Sequence, residues 1–365
     1  MSAPLGIYVH IPFCKKKCDY CDFYSVENGE DLFRDYVSAV LRSIDRFRDM
    51  TDKSADTLYF GGGTPSLLPP EMIGKITEKA AEKFGLHNAE ITVECNPSTV
   101  GRGYFEGLKD AGVNRISLGL QSVNAGERAA LGRRSAPQDA KRAAEEAVRS
   151  GFKNISLDLM LGIPFQTEES LEESVEFCKD VGASHVSAYI LKVEKGTPLE
   201  RKNIILPDEE EQARMYLAAC EMLDNAGFRQ YEISNFCLPG RESRHNLKYW
   251  NDDEYIGIGA ASHSFLNGER FYYPRSVRDF ISGCDAVSDG RGGDFEEYCM
   301  LRLRLTDGIN DRECEERFGH GILEEIKKRA FELQKHSLTK CGKDSVSLTR
   351  QGFLLSNSVI AHLLG

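Results

Sequence analysis

Three thiols stand within eight residues near the amino terminus, as Cys14-x3-Cys18-x2-Cys21. That spacing suits a short loop wrapped around an iron–sulfur cubane, with one thiolate on each of three irons. The rival is structural zinc. Zinc wants four ligands, usually as two spaced pairs, and the chain has no second Cys-x2-Cys and no His-x3-His. Three thiolates leave one iron of a cubane open, and an open position calls for a ligand from outside the protein. Lys15, Lys16 and Lys17 fall inside the motif, where they either offset a cluster's negative charge or simply solvate the loop. A second chemical signal is Gly61-Gly62-Gly63-Thr64-Pro65, where the missing side chains let backbone approach a ligand closely.

Such residues need a frame. From residue 6 to about 228, short β-branched or aromatic runs alternate with longer amphipathic stretches. The strands are expected at Gly6–Phe13, Asp56–Gly61, Glu90–Cys95, Arg115–Leu120, Asn154–Leu161 and His185–Leu191, each followed by a helix. Asp31–Phe47 places Leu32, Tyr36, Val40, Ile44 and Phe47 on one helical face, and Glu168–Asp180 does the same with Leu171, Val175 and Cys178. Pro69-Pro70, Pro137 and Pro207-Asp208 mark helix starts. Six βα units make an α/β fold, either an open sheet or a curled barrel, and in both the chemistry gathers at the carboxyl ends of the strands. The cysteine loop follows strand one, the glycine triplet strand two, Glu94 ends strand three, Gln121-Ser122 follows strand four and Asp158 lies late in strand five.

Beyond residue 228 strand-like pieces (Gln230–Phe236, Ile256–Phe265, Arg270–Tyr273) read as an extension of the sheet. From Glu296 the pattern turns helical, with Ser345–Thr349 as a short strand and Gln351–Leu364 as a last helix. The expected division is 1–235 for the βα core, 236–292 for the extension and 293–365 for a small helix-rich, winged-helix-like domain.

The chain has 365 residues and a net charge of −11, which argues against a nucleic acid partner. Neither a signal peptide nor an 18-residue apolar run is evident, so the expected location is the cytoplasm. The other eight cysteines (Cys95, Cys178, Cys220, Cys237, Cys284, Cys299, Cys314, Cys341) are scattered singly. They read as small buried hydrophobes in a reducing interior.

The cysteine motif after the first strand, with Gly61-Gly62-Gly63-Thr64-Pro65-Ser66 after the second, resembles the radical S-adenosylmethionine (SAM) superfamily over residues 1 to about 235. That resemblance implies a partial (β/α)6 barrel and a 4Fe–4S cluster on Cys14, Cys18 and Cys21. It also implies SAM chelating the open iron, where an electron from the cluster cleaves it to a 5′-deoxyadenosyl radical. Within the coproporphyrinogen-oxidase-like branch, the matching positions imply SAM contacts from Tyr8, Gly62, Gly63, Thr64, Glu94, Gln121, Arg133 and Asp158. Glu94 would accept from the SAM amino group, Gln121 and Asp158 would bond ribose hydroxyls, and Arg133 would pair with the carboxylate.

Three features lean toward the haem chaperones of that branch rather than its oxidases. Asp22-Phe23 follows the third cysteine where the oxidases carry x-Cys, and thirteen residues precede Cys14 where the oxidases carry a long segment. His245-Asn246-Leu247-Lys248-Tyr249-Trp250 matches the chaperones' HNxxYW pattern and holds the chain's one tryptophan. His245 would then ligate haem iron with the aromatic rings covering the macrocycle; the plainer alternative is a turn cap with two core aromatics. The implied function is binding haem and passing it to respiratory proteins. That implies an electron donor for the cluster and transient approach to a membrane, with a homodimer left open. The alternative is an oxygen-independent coproporphyrinogen III oxidase, which would decarboxylate two propionates. A plain electron carrier fits poorly, since its cluster usually has four protein ligands.

Overall fold

The computed structural model describes residues 3–133, 135–202 and 204–365. Six parallel strands form its centre: β1 (Leu5–Ile11), β2 (Ala55–Gly62), β3 (Glu90–Cys95), β4 (Arg115–Gln121), β5 (Ile155–Leu161) and β6 (His185–Ile190). They lie side by side in chain order. Nearly every residue of β1 is buried, as a parallel strand covered on both faces requires.

The crossovers run through α1 (Phe33–Arg48), α2 (Pro70–Phe84), α3 (Tyr104–Asp110), the short α4 (Ala125–Ala130), α5 (Pro137–Arg149) and α6 (Glu168–Asp180). α1 buries Tyr36, Val40, Ile44 and Phe47, the face its periodicity predicts. Thr167 caps α6 by accepting from the Ser170 N–H at 3.2 Å. A one-turn helix, α7 (Pro198–Arg201), and the longer α8 (Glu209–Asn225) follow β6; Asp208 caps α8 through the Glu211 N–H at 2.8 Å.

The arc is open, and both sides are extended by antiparallel or mixed pairing. The stretch expected as one strand at 230–236 folds back on itself instead: Arg229–Gln230 pairs antiparallel with β7 (Asn235–Cys237), which lies against β6. Beyond β1 lies β8 (Tyr255–Ile258), parallel to it, then β9 (His263–Leu266), β10 (Glu269–Tyr272) and β11 (Val287–Arg291). The single strand expected at 256–265 is thus two antiparallel strands. They are split at a turn where Ala261 takes φ 69° and its N–H donates to the Tyr273 carbonyl at 3.1 Å. The first strand also ends earlier than expected, at Ile11; Phe13–Cys14 leaves it and pairs with Val26–Glu27, which closes the cysteine loop on itself.

Between β7 and β8 sits α9 (Arg244–Trp250). The carboxyl-terminal part holds α10 (Val277–Ser282), α11 (Phe295–Arg302), α12 (Asp311–Phe318), α13 (Glu324–Gln334), α14 (Arg350–Leu354) and α15 (Ser356–Leu364). A small sheet of Ile309–Asn310, Ser345–Leu348 and Thr339–Cys341 lies among them. The last helix, expected to be continuous, is broken at Leu355. Leu303, Ile309 and Cys314 join the same apolar cluster as the barrel, and the Ile233 N–H donates to the Arg304 carbonyl at 2.9 Å. All eleven cysteines are free thiols. Among the described residues no helix is long and apolar enough to cross a membrane.

Candidate functional site

The cysteine loop and the glycine loop are laced together by backbone. The Gly63 N–H donates to the Ile11 carbonyl at 2.9 Å and the Thr64 N–H to the Phe13 carbonyl at 2.7 Å. A Cβ on Gly63 would stand 2.7 Å from the Phe13 carbonyl oxygen, so only glycine allows this approach. Thr64 consequently brings its hydroxyl to 3.6 Å from Cys14 Sγ. Cys14 is buried, whereas Cys18 and Cys21 are half-buried. Burial pushes the Cys21 thiol up to about 11.

All three thiols line one cavity of about 390 Å³ at the carboxyl ends of the strands. Among the described residues, no three His, Cys, Asp or Glu side chains converge tightly enough to grip a single ion. The three thiols share the lining of one cavity and no fourth protein ligand joins them there among the described residues. This fits a cubane, which takes one thiolate per iron, better than a tetrahedral zinc.

The same cavity collects the polar ends of β2 through β6. Glu94 accepts from the Tyr59 hydroxyl at 2.8 Å and from the Gly62 N–H at 3.2 Å. Burial first, and Asp158 second, push its carboxyl up to about 7. Asp158 accepts from the Ser117 hydroxyl at 3.2 Å and is likewise raised by burial. Two buried carboxylates that resist ionisation make a site that favours a cation, and SAM brings both an ammonium and a sulfonium.

Opposite charge comes from Arg133, which donates to the Gly119 carbonyl at 2.6 Å and lies 3.8 Å from Cys18 Sγ. A Cβ at Gly119 would fall 2.4 Å from the guanidinium, so a side chain there would push Arg133 out of this position. Gln121 reaches the cavity through a bulge between Gly119 and Gln121, with φ 74°. Gly62, Gly63 and Thr64 complete the wall. The donor set therefore fits a SAM molecule beside a cluster.

A model of the radical SAM superfamily matches residues 8–178. Three heme chaperones named HemW are similar along almost the whole chain. The one from Mycobacterium tuberculosis is 34% identical, covering 99% of this chain and 95% of that protein. For Bacillus subtilis the figures are 33%, 98% and 98%, and for Escherichia coli 34%, 98% and 97%. The chain belongs to the HemW family of radical SAM proteins. Among solved structures, the radical SAM enzyme coproporphyrinogen III oxidase (HemN) of Escherichia coli matches with a TM-score of 0.85. The match covers 99% of this chain and 90% of that one at 20% identity, and it speaks for the fold alone.

Two expected site residues lie elsewhere. Tyr8 does not line the cysteine cavity; it shares a 3.0 Å hydrogen bond with His10 Nδ1 and faces a neighbouring cavity. His245 is not placed where haem iron could reach it. It is 1% exposed, Nδ1 is bonded with the Thr57 hydroxyl and Nε2 with the Tyr249 hydroxyl, both at 2.8 Å. Its ring stacks on Tyr59 with centroids 5.2 Å apart, and burial drops its pKa to about 3, so it is a neutral core imidazole. The HNxxYW stretch serves the site differently: Asn246 reaches the cysteine cavity, while Trp250 lies under Arg304, 5.9 Å away, at the join to the carboxyl-terminal part.

Tyr20, Tyr59, Arg115, Ser117, Ser187 and Tyr189 also line the cavity and were not singled out by sequence reasoning. A signal was present for most. In β4, Arg115, Ser117 and Gly119 alternate with Ile116, Leu118 and Leu120, and in β6 Ser187 and Tyr189 keep the same period of two. A strand buried on both faces that alternates polar with apolar has one face on a core and the other on a site.

Proposed function

We propose that this chain is a haem chaperone: it binds haem and hands it to haem-requiring respiratory proteins, and it carries a SAM-liganded 4Fe–4S cluster on Cys14, Cys18 and Cys21. The observation that carries this reading is similarity of 33–34% over essentially full length to proteins named heme chaperone, supported by a cysteine cavity whose acids and arginine suit the charges of SAM. In this reading Glu94 takes the SAM ammonium, Arg133 its carboxylate, and Gln121 and Asp158 its ribose hydroxyls, while Gly62, Gly63 and Thr64 shape the wall. When bound there, SAM supplies radical chemistry. The chain's own part is to hold, orient and screen it. An electron donor, transient membrane contact during delivery and a cytoplasmic location belong to the same proposal, the last supported by the free thiols of the eight cysteines outside the cysteine loop.

The test is anaerobic reconstitution followed by parallel titration with haemin and with coproporphyrinogen plus SAM. Haem binding without porphyrinogen turnover is expected. Release of carbon dioxide from coproporphyrinogen would select the oxidative decarboxylase instead.

A further inference from the structure

A second cavity, of about 510 Å³, lies on the other side of the cysteine loop. Tyr20, Cys21 and Phe23 line both cavities, so the loop is the partition between them. The far wall comes from the turn between β8 and β9 and the segment after β10. The volume is in the range of pockets that take cofactor-sized ligands.

Its chemistry is unlike that of the first. Tyr8, Tyr20, Phe23, Tyr24, Tyr249 and Tyr255 give it aromatic walls, and Phe23 is 66% exposed. His263 opens β9 as an exposed residue, with its ring stacked on Tyr272 at 5.3 Å. The three histidines packed in the barrel are all spoken for: His10 bonds Tyr8 and Tyr24, His185 bonds Ser156 and Tyr231, and His245 bonds Thr57 and Tyr249. His263 has no ring hydrogen bond among the described residues. Arg275 stands on the same cavity, close enough for its charge to be felt by His10, and likewise has no ion pair among the described residues. Of the acids on the rim, Glu194 is held by Lys192 at 2.8 Å, while Asp22 is exposed.

A stacked imidazole with free nitrogens, a free cation and aromatic walls together describe a receptor for an iron tetrapyrrole with carboxylate side chains. We propose that this second cavity is the haem site, with His263 as axial ligand and Arg275 pairing with a propionate. The assignment rests on the chaperone reading and deepens it. His245 becomes a positioning residue, since its Nε2 fixes the Tyr249 hydroxyl and so one wall of the cavity. Binding is plain coordination: a ring nitrogen of His263 gives its lone pair to iron, with no change of oxidation state. The cargo would sit one loop away from the cluster.

The test titrates the cluster-loaded wild type, His263→Gly and Arg275→Gln with haemin and with iron-free protoporphyrin, followed by absorption and resonance Raman spectra. His263→Gly is expected to weaken haemin by at least about tenfold, to leave protoporphyrin binding unchanged, and to regain the wild-type spectrum when free imidazole is added. Arg275→Gln is expected to weaken both ligands by about tenfold with no change in the haem spectrum. Wild-type haem spectrum and affinity in His263→Gly would overturn the assignment alone. A wild type that binds no haemin would overturn the assignment and the chaperone reading together.

Discussion

The two cavities that share the cysteine loop are built by opposite rules. In the cysteine cavity the groups assigned to the charges of SAM already have partners: Glu94 has Tyr59 and Gly62, Asp158 has Ser117, and Arg133 has Gly119 and Cys18, although the Nε atoms of Arg115 and Arg133 have none among the described residues. In its neighbour the two groups most able to bind, His263 and Arg275, have none among the described residues, and the surroundings are aromatic. A cofactor that stays calls for side chains fixed in advance, which lowers the ordering cost of holding it. A cargo that must leave is better served by few strong contacts. His245 and His263 repeat the contrast in miniature: one is locked under the site and the other is offered to it.

The largest effect expected is on the cysteine side. Replacing Cys14, Cys18 or Cys21 with alanine should abolish the cluster, read as loss of iron and acid-labile sulfide; full retention after any one replacement would erase the distinction between the cavities. Next comes His245→Ala, which empties a buried ring site and strands Thr57 and Tyr249. It should cost roughly 3 kcal/mol in urea denaturation while leaving the haem spectrum of the wild type. A changed axial-ligand spectrum would return His245 to the site.

Smaller, and pH-dependent, is the role of Glu94. Its carboxyl holds a proton up to about pH 7 in the folded chain but only to about 4.5 when unfolded. The stability it lends is therefore full below about pH 4.5 and lost as the pH rises through about 7. Thermal melts of the SAM-free protein should show this slope, SAM should shrink it, and Glu94→Gln should remove it while weakening SAM by about tenfold. Gly119→Ala sits last. Its Cβ displaces the Arg133 guanidinium, so SAM affinity should fall a few-fold in calorimetry with the cluster content unchanged.

Much of the cysteine cavity was legible in the sequence because its residues are local to strand ends. Glu94 is the next-to-last residue of β3 and Asp158 the middle residue of β5, and a period of two with a following loop is enough to place them. The six strands were legible for the same reason. The second cavity was not, since it joins residue 8 to residues 249, 263 and 275, and only the pairing of β1 with β8 brings them together. Short motifs also mislead about depth. Histidine beside tyrosine and tryptophan reads equally as ligand or core, and α9 turns His245 inward beneath Tyr59. The strand expected at 256–265 hid the turn that presents His263, because the break is made by Ala261 at a positive φ that alanine rarely adopts.

The most direct measurement is electron paramagnetic resonance of the anaerobically reconstituted, reduced protein before and after SAM is added. The account predicts about four irons and four sulfides per chain and a reduced-cluster signal that shifts on SAM addition, with about tenfold more SAM needed for the same shift in Glu94→Gln. A signal indifferent to SAM in the wild type, or a colourless protein whose metal is zinc, would contradict it.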